Sequence, residues 1–328
     1  MRAYDLWLPV PFNNDHRHLW QNGADMELYA PEYYKEFACI ADKCRHSCCI
    51  GWEIDIDEDS LERFKTLGGK YGDKVRISIS ADDDTPHFIL KKDGSCPHLD
   101  EFGLCKMITH YGGDVLCDIC REHPRFYNIL PDQCEVGIGA SCEAAARLIL
   151  DSDNYDNIIR VGEYTAPCQE KREKKPLSAV FLREHLYKIL KDTSIPYPER
   201  LEKLYKTCGI SPSVNSDDSW IDVISELEYM DSETKELFSA YSSDTGIAEE
   251  ESKSLSRFLA YLIYRHASEA ETGDAIRHAL GFAFFLERLF ASLINTNGAD
   301  KRYELARIIS EEIEYSEDNV ESIKMEFI

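Results

Sequence analysis

The chain has 328 residues, about 43% of them hydrophobic, and a net charge of −24. That is enough apolar material for one large domain or two ordinary ones. The acidity is spread along both halves without a basic stripe, which excludes nucleic acid and anionic membrane surfaces as partners; a lysine-bearing protein is the kind of partner it attracts.

No apolar export segment precedes residue 25, and no uninterrupted apolar run is long enough to span a bilayer. HALGFAFFLERLFASLI comes nearest, but Glu287 and Arg288 interrupt it, so it reads as a buried helix. The expected compartment is the cytoplasm, with no membrane association. Residues 1–25 lack periodicity and read as an N-terminal extension, and Met26 is a candidate native start.

From Met26 the pattern becomes regular. Residues 32–38 can form a short helix. WEIDID, residues 52–57, and VRISIS, residues 75–80, alternate with period two and read as strands. Asp57 or Asp59 can cap a helix over Ser60–Leu67, which the Gly68-Gly69 pair ends. HFILKK with Asp93-Gly94 reads as a strand and turn. Short helices are expected at Leu104–Tyr111 and Val115–His123, a break at Pro124, a strand over CEVGIGA, and a helix from Cys142 to Leu150.

After the charged run EKREKK the rest reads as helices. They fall at Leu177–Lys191, Pro198–Thr207, Trp220–Met230, Thr234–Tyr241, Glu249–Ala267, Asp274–Ile294, Arg302–Tyr315 and near Val320–Met325. The expected fold is mainly α. An α+β cysteine-rich metal-binding domain with a few short antiparallel strands, residues 26–168, precedes an all-α helical domain, residues 176–328.

Ten of the twelve cysteines lie between Cys39 and Cys142, and only Cys168 and Cys208 fall outside. In a reducing compartment such a group points to metal ligation or redox chemistry before disulfides. Ten thiols exceed one zinc site, and Cys117 and Cys120 form the only C-x2-C pair, so the spacing matches no ordinary zinc finger. Thiolates in this number suit an iron–sulfur cluster. Cys44, Cys48, Cys49, Cys96, Cys105, Cys120 and Cys142 are the best-placed candidates; Cys39, Cys117 and Cys134 rank second. Cys168 and Cys208 read as buried thiols. His46, His98, His110 and His123 are interleaved, and His98, two residues from Cys96, is the one to watch; the plainer reading of each is a hydrogen-bonding histidine.

The stretches LYAPEYYKEFACIADKCRHSCCIGWEIDID, DGSCPHLDEFGLCKM, LCDICREHPRFY and SCEAAARLIL resemble the flagellin lysine N-methylase family, and more broadly the small cysteine-cluster proteins described as zinc- or iron-chelating. The resemblance covers residues 26–152 by motif. It implies a cytoplasmic methyltransferase that moves methyl groups from S-adenosylmethionine to flagellin lysines and carries an iron–sulfur cluster, 4Fe-4S in type, with zinc as the alternative. It also implies the same seven-cysteine ligand set, with Cys39 fitting too, and places Arg125 on a motif position. Glu143 stands where the family usually has Pro after Cys142, and Cys117 falls where Cys is not required. The resemblance names no catalytic residue.

From the residues alone no base stands out. Asp55 and Asp57 share one face of WEIDID and are candidates, although a solvated strand face explains them as well. Gly137-Ile-Gly139 imitates part of a dinucleotide loop but reads as close packing or a turn. C44-x3-C48 lacks the third cysteine of the radical S-adenosylmethionine signature. Two other readings stay open: a non-catalytic iron, zinc or electron-transfer module, and a zinc-stapled interaction protein.

Overall fold

The computed structural model describes residues 24–80, 85–166, 178–212, 215–243 and 249–327. The expected extension up to residue 23 and Cys168 lie outside them. In chain order the elements begin with β1 (Ala24–Pro31), α1 (Glu58–Thr66), α2 (Gly69–Ile77), β2 (Ile79–Ser80), β3 (His87–Phe88), α3 (Lys106–Tyr111) and α4 (Asp118–Glu122). Then come β4 (Arg125–Ile129), β5 (Gln133–Ile138), α5 (Glu143–Asp151) and β6 (Ile158–Ala166). The helices α6 (Ser178–Lys191), α7 (Tyr197–Cys208), α8 (Asp217–Glu226), α9 (Ser232–Phe238), α10 (Glu249–Ala267) and α11 (Gly273–Asn297) follow. Last are α12 (Arg302–Ile309), a π turn over Ser310–Glu314, and α13 (Glu317–Met325).

By compactness the chain groups into two units. One holds Ala38–Arg125; the other holds the segment ending at Phe37 together with Phe126–Ile328. The boundary read from the sequence, near residues 165–176, falls between β6 and α6, inside the second unit.

The first unit is made of short pieces. Asp57 caps α1, its Oδ1 accepting the Ser60 N–H at 2.8 Å, as the sequence leads one to expect. WEIDID alternates in burial, with Ile54 and Ile56 inside and Asp55 exposed. It forms no ladder strand, however; its pairing is an isolated bridge from Asp55 to His87. VRISIS is not a strand. Val75 sits four residues after Tyr71 on α2 and is buried, while Ile77 points to solvent, so the helical period prevails and only Ile79 and Ser80 pair, with β3. HFILKK contributes only His87 and Phe88 to that pair.

The second unit carries a four-stranded sheet in the order β4-β5-β1-β6. It is mixed: β1 runs parallel to β5, with Leu28 opposite Cys134, and antiparallel to β6, with Met26 opposite Tyr164. The expected antiparallel pairing holds for β2–β3 and β1–β6 and is corrected at β1–β5, which is parallel. β4 and β6 set apolar residues side by side, and β1 is divided by the break placed at Met26, so none of the three reads as a strand from the sequence. From Ser178 onward the described residues form helices and turns without a strand.

Aromatic rings pack in the helical core. Trp220 lies 4.1 Å from Phe285, Phe258 4.6 Å from Phe290, and Tyr205 4.6 Å from Phe284, centroid to centroid. α11 is long and apolar enough to cross a membrane by length and composition, but its most apolar window is 83% buried within the protein. It is the core helix the sequence describes.

Candidate metal centre

The core of the first unit is partly sulfur. Ile54, Ile56, Phe64, Val75, Phe88, Leu99, Met107 and Val115 pack with Cys96 and Cys117, and Cys49, Cys105 and Cys120 lie against them. Local chemistry brings these five sulfurs in from separate segments. Asp93 accepts the Ser95 N–H and Oγ–H, and Gly94, at φ +76°, turns the chain back. The returning segment bridges Ile50 to Ser95, and the Cys96 N–H donates to the Cys49 carbonyl at 2.8 Å. Cys49 and Cys96 thus face each other across a short antiparallel contact. A second turn, held by Asp100 Oδ1 on the N–H groups of Phe102 and Leu104, pairs Leu99 with Cys105 at the start of α3. Cys117 precedes α4, and Cys120 lies within it.

Asp57 ties this together. While Oδ1 caps α1, Oδ2 accepts the Asp118 N–H of α4 at 2.9 Å. Burial opposes its ionisation, but these backbone donors outweigh it and hold the carboxyl below the usual carboxylate range. Asp57 is therefore a clasp between two helices rather than a base. Asp55 is exposed beside His87.

The thiols feel one another. Burial pushes Cys96 up to about 12 and Cys105 up to about 11, and the charge of Cys49 adds to both. Cys49 itself is drawn down to about 7, chiefly by a hydrogen bond from Cys48. Cys117 is lowered by a hydrogen bond from Cys120, which is raised in turn by that bond, by burial and by the charges of Cys117, Cys49 and Cys96. Sulfurs that raise each other in this way repel once ionised, and a thiophilic cation among them would relieve the repulsion. The donor chemistry fits such a cation. The rotamers do not form a finished shell: among the described residues no three His, Cys, Asp or Glu side chains are grouped as a metal ion's ligands.

The remaining predicted ligands are spread wider. Cys39 and Cys48 are exposed, and Cys44 is half-buried with its Sγ donating to the His46 carbonyl at 3.1 Å. Cys134, on β5, and Cys142, at the N-terminus of α5, belong to the second unit. Burial pushes Cys134 and Cys208 up to about 12, the behaviour of structural thiols. No described cysteine is in a disulfide. Cys117, ranked second from the sequence, is 1% exposed within the sulfur core; its C-x2-C spacing to Cys120 was the available signal.

His98 is spoken for. Nδ1 bonds the Tyr71 hydroxyl at 3.0 Å and Nε2 the Ser78 hydroxyl at 3.1 Å, and burial drops it to about 4. His110 stacks on Tyr71 at 4.1 Å. Arg125 donates to the Arg121 carbonyl at 3.3 Å. Gly137 is a packing glycine, since a Cβ there would stand 2.2 Å from Cζ of Phe126. Gly139 closes a turn, its carbonyl accepting from the Cys142 N–H.

The first unit is thus a compact unit with five thiols in or against one core. Comparison with known proteins sharpens this. The chain is similar to the lysine-N-methylase of Salmonella typhimurium, 27% identical over an alignment of 169 positions that covers 46% of this chain and 40% of the relative. The Salmonella choleraesuis lysine-N-methylase matches equally. The flagellar biosynthetic protein FliU of Salmonella muenchen is 26% identical over 143 residues, 39% of this chain and 80% of that protein. The chain therefore matches about two-fifths of the length of the lysine-N-methylases. No family model and no solved structure matches it.

Proposed function

We propose that this chain is a cytoplasmic, S-adenosylmethionine-dependent protein-lysine N-methyltransferase acting on flagellin. The observation that carries the reading is the similarity to two lysine-N-methylases and to a flagellar biosynthetic protein. The net charge of −24 supports it, because an acidic surface attracts a lysine-bearing partner. The sulfur core supports an iron–sulfur cluster, with zinc as the alternative, and Cys49, Cys96, Cys105, Cys117 and Cys120 would hold it. Such a group supplies a Lewis-acidic or redox centre. The protein's own residues must still bind the lysine and remove the proton that an ammonium holds up to about pH 10.

Anaerobic purification with iron and sulfide assays, then labelled S-adenosylmethionine with the host flagellin, tests the reading. Label transferred to flagellin lysines is the expected result; a metal-loaded protein that transfers none would overturn it. A non-catalytic metal or electron-transfer module is favoured by one observation, the grouping of the five thiols in a compact unit of their own. That module would exchange metal or electrons readily and leave flagellin unlabelled.

A further inference from the structure

The second unit contains a cavity of about 400 Å3, within the size range of small-molecule sites. Phe126 and Tyr127 on β4, the end of α10, the π turn and α13 line it. At its inner wall lies a buried polar network that the thiol chemistry does not use. Glu314 is fully buried and receives the Tyr261 hydroxyl at 2.9 Å and His266 Nε2 at 2.7 Å, with Arg265 Nε at 3.5 Å. Burial works against its ionisation, but Arg265 and the bond from His266 outweigh it and hold the carboxyl down to about 2. Because Glu314 is ionised, Nε2 must carry the hydrogen of that bond. Burial keeps His266 below its ordinary range, so the ring is neutral at pH 7 and Nδ1 holds a lone pair. Nδ1 makes no hydrogen bond to any described residue. A carboxylate-oriented histidine that lines a cavity, its other nitrogen without a hydrogen bond among the described residues, is the arrangement of a general base.

The charges around it favour a cation. Three carboxylates, Glu314, Glu317 and Glu321, face two cations, Arg265 and Lys324. Arg265 is already engaged, lying between the rings of Phe126 at 5.0 Å and Tyr315 at 4.6 Å and paired with Glu314. Glu317 and Glu321 are exposed at the mouth. Aromatic walls suit an alkyl chain, and an acidic mouth suits the ammonium at its end. The π turn that carries Glu314 is of the type that recurs at functional sites.

We propose that this cavity takes the lysine side chain of the target protein and that His266 Nδ1 receives the proton its ε-ammonium must lose. The assignment rests on the lysine-methylating function proposed above. The N–H bond breaks, its electron pair stays on the lysine nitrogen, and the proton moves to Nδ1, where Glu314 stabilises the imidazolium. The freed pair takes the methyl group of a sulfonium donor, S-adenosylmethionine; the C–S electrons return to sulfur, which leaves as a thioether. His266 then gives its proton to water. Glu314 is a positioning residue. Burial, Arg265 and Lys324 disfavour the protonated ring, while Glu314 favours it and Glu317 and Glu321 add negative charge at the cavity, and together these set the pH at which the base works.

The test uses the full chain, flagellin with labelled S-adenosylmethionine, and Nα-acetyl-lysine amide as a binding probe followed by NMR. His266→Gln should lower kcat by about 100-fold or more with KM little changed, and abolish the rise of rate with pH. Val320→Trp, which fills the cavity from α13, should weaken amide binding at least tenfold while circular dichroism and thermal melting stay as in the wild type. An unchanged rate and pH profile in His266→Gln, or amide binding untouched by Val320→Trp, overturns the proposal. If the wild type binds the amide in a way Val320→Trp abolishes yet labels no flagellin, the proposed reaction fails and the cavity's assignment to amines stands. If it labels flagellin while amide binding ignores Val320→Trp, the reaction stands and the cavity assignment falls.

Discussion

The two units solve the problem of a core in opposite ways. The second closes its interior with rings and long helices: Trp220 on Phe285, Phe258 on Phe290, α10 along α11. The first has helices of nine residues or fewer, and places cysteines where a self-sufficient domain would place leucine or isoleucine. Short helices are marginal without tertiary support. A small, turn-rich unit with a thiol core is the kind that gains its stability from a bound metal. The difference teaches that the halves should respond to different insults.

The largest expected effect separates them most sharply. Structural metal binding is worth on the order of 10 kcal/mol. With the metal proposed above in place, Cys96→Ser combined with Cys117→Ser should release it. Amide protection should then be lost across residues 38–125 while α10 and α11 stay protected, as hydrogen exchange would show. Uniform loss, or none, would break the comparison.

Next comes the buried ion pair that ties the sheet to the helices of the second unit. Arg183 meets Glu135 with two bonds of 2.7 Å and also donates to Ser268 at 2.6 Å, all nearly without solvent. Arg183→Ala leaves a buried carboxylate unpaired and should cost about 3–5 kcal/mol in denaturant titration. Replacing both partners, Arg183→Met with Glu135→Leu, should recover most of it.

Glu287 on α11 should give a smaller effect with a distinctive pH dependence. Burial raises its carboxyl to about 7, only partly offset by the Tyr197 hydroxyl bonded at 2.8 Å. The folded chain keeps this proton where the unfolded chain has lost it. Stability therefore falls as pH rises from 4.5 to about 7, and levels off above that. Glu287→Gln should flatten this slope and stabilise the protein by up to about 3 kcal/mol at pH 8, measured as thermal melting against pH. The smallest effect belongs to the first unit: Asp57→Ala removes a helix cap and the tie to α4, for about 1–2 kcal/mol.

The same contrast explains what the sequence disclosed. The helical region was legible because α10 and α11 are long, and their apolar residues recur at three and four spacing over many turns. Asp57 was legible as a cap because capping is local. VRISIS misled, since its alternation is real but Tyr71 and Val75 also share a helix face, and only tertiary packing chooses between the two. β4 and β6 stayed hidden because RFYNI and IIRVGEYTA set apolar residues side by side; β1 does alternate, Met26, Leu28 and Ala30 against Asp25, Glu27 and Tyr29, but the break placed at Met26 divided it. The crowding of cysteines was plain, yet which of them meet was not. A bridge between residues 45 apart, Ile50 and Ser95, brings Cys49 to Cys96, and no spacing rule encodes that. His266 and Glu314, 48 residues apart, left no local signature at all.

The π turn before α13 has a consequence for how this chain can vary. A π turn holds one residue more than an α turn, so winding these same five residues as ordinary helix, at about 100° each, would carry Glu314 round past its present direction. The Glu314 carboxylate would then swing off the line joining Tyr261, Arg265 and His266, stranding a guanidinium and an imidazole without their shared anion. The winding of that five-residue stretch is thus as much under constraint as its composition.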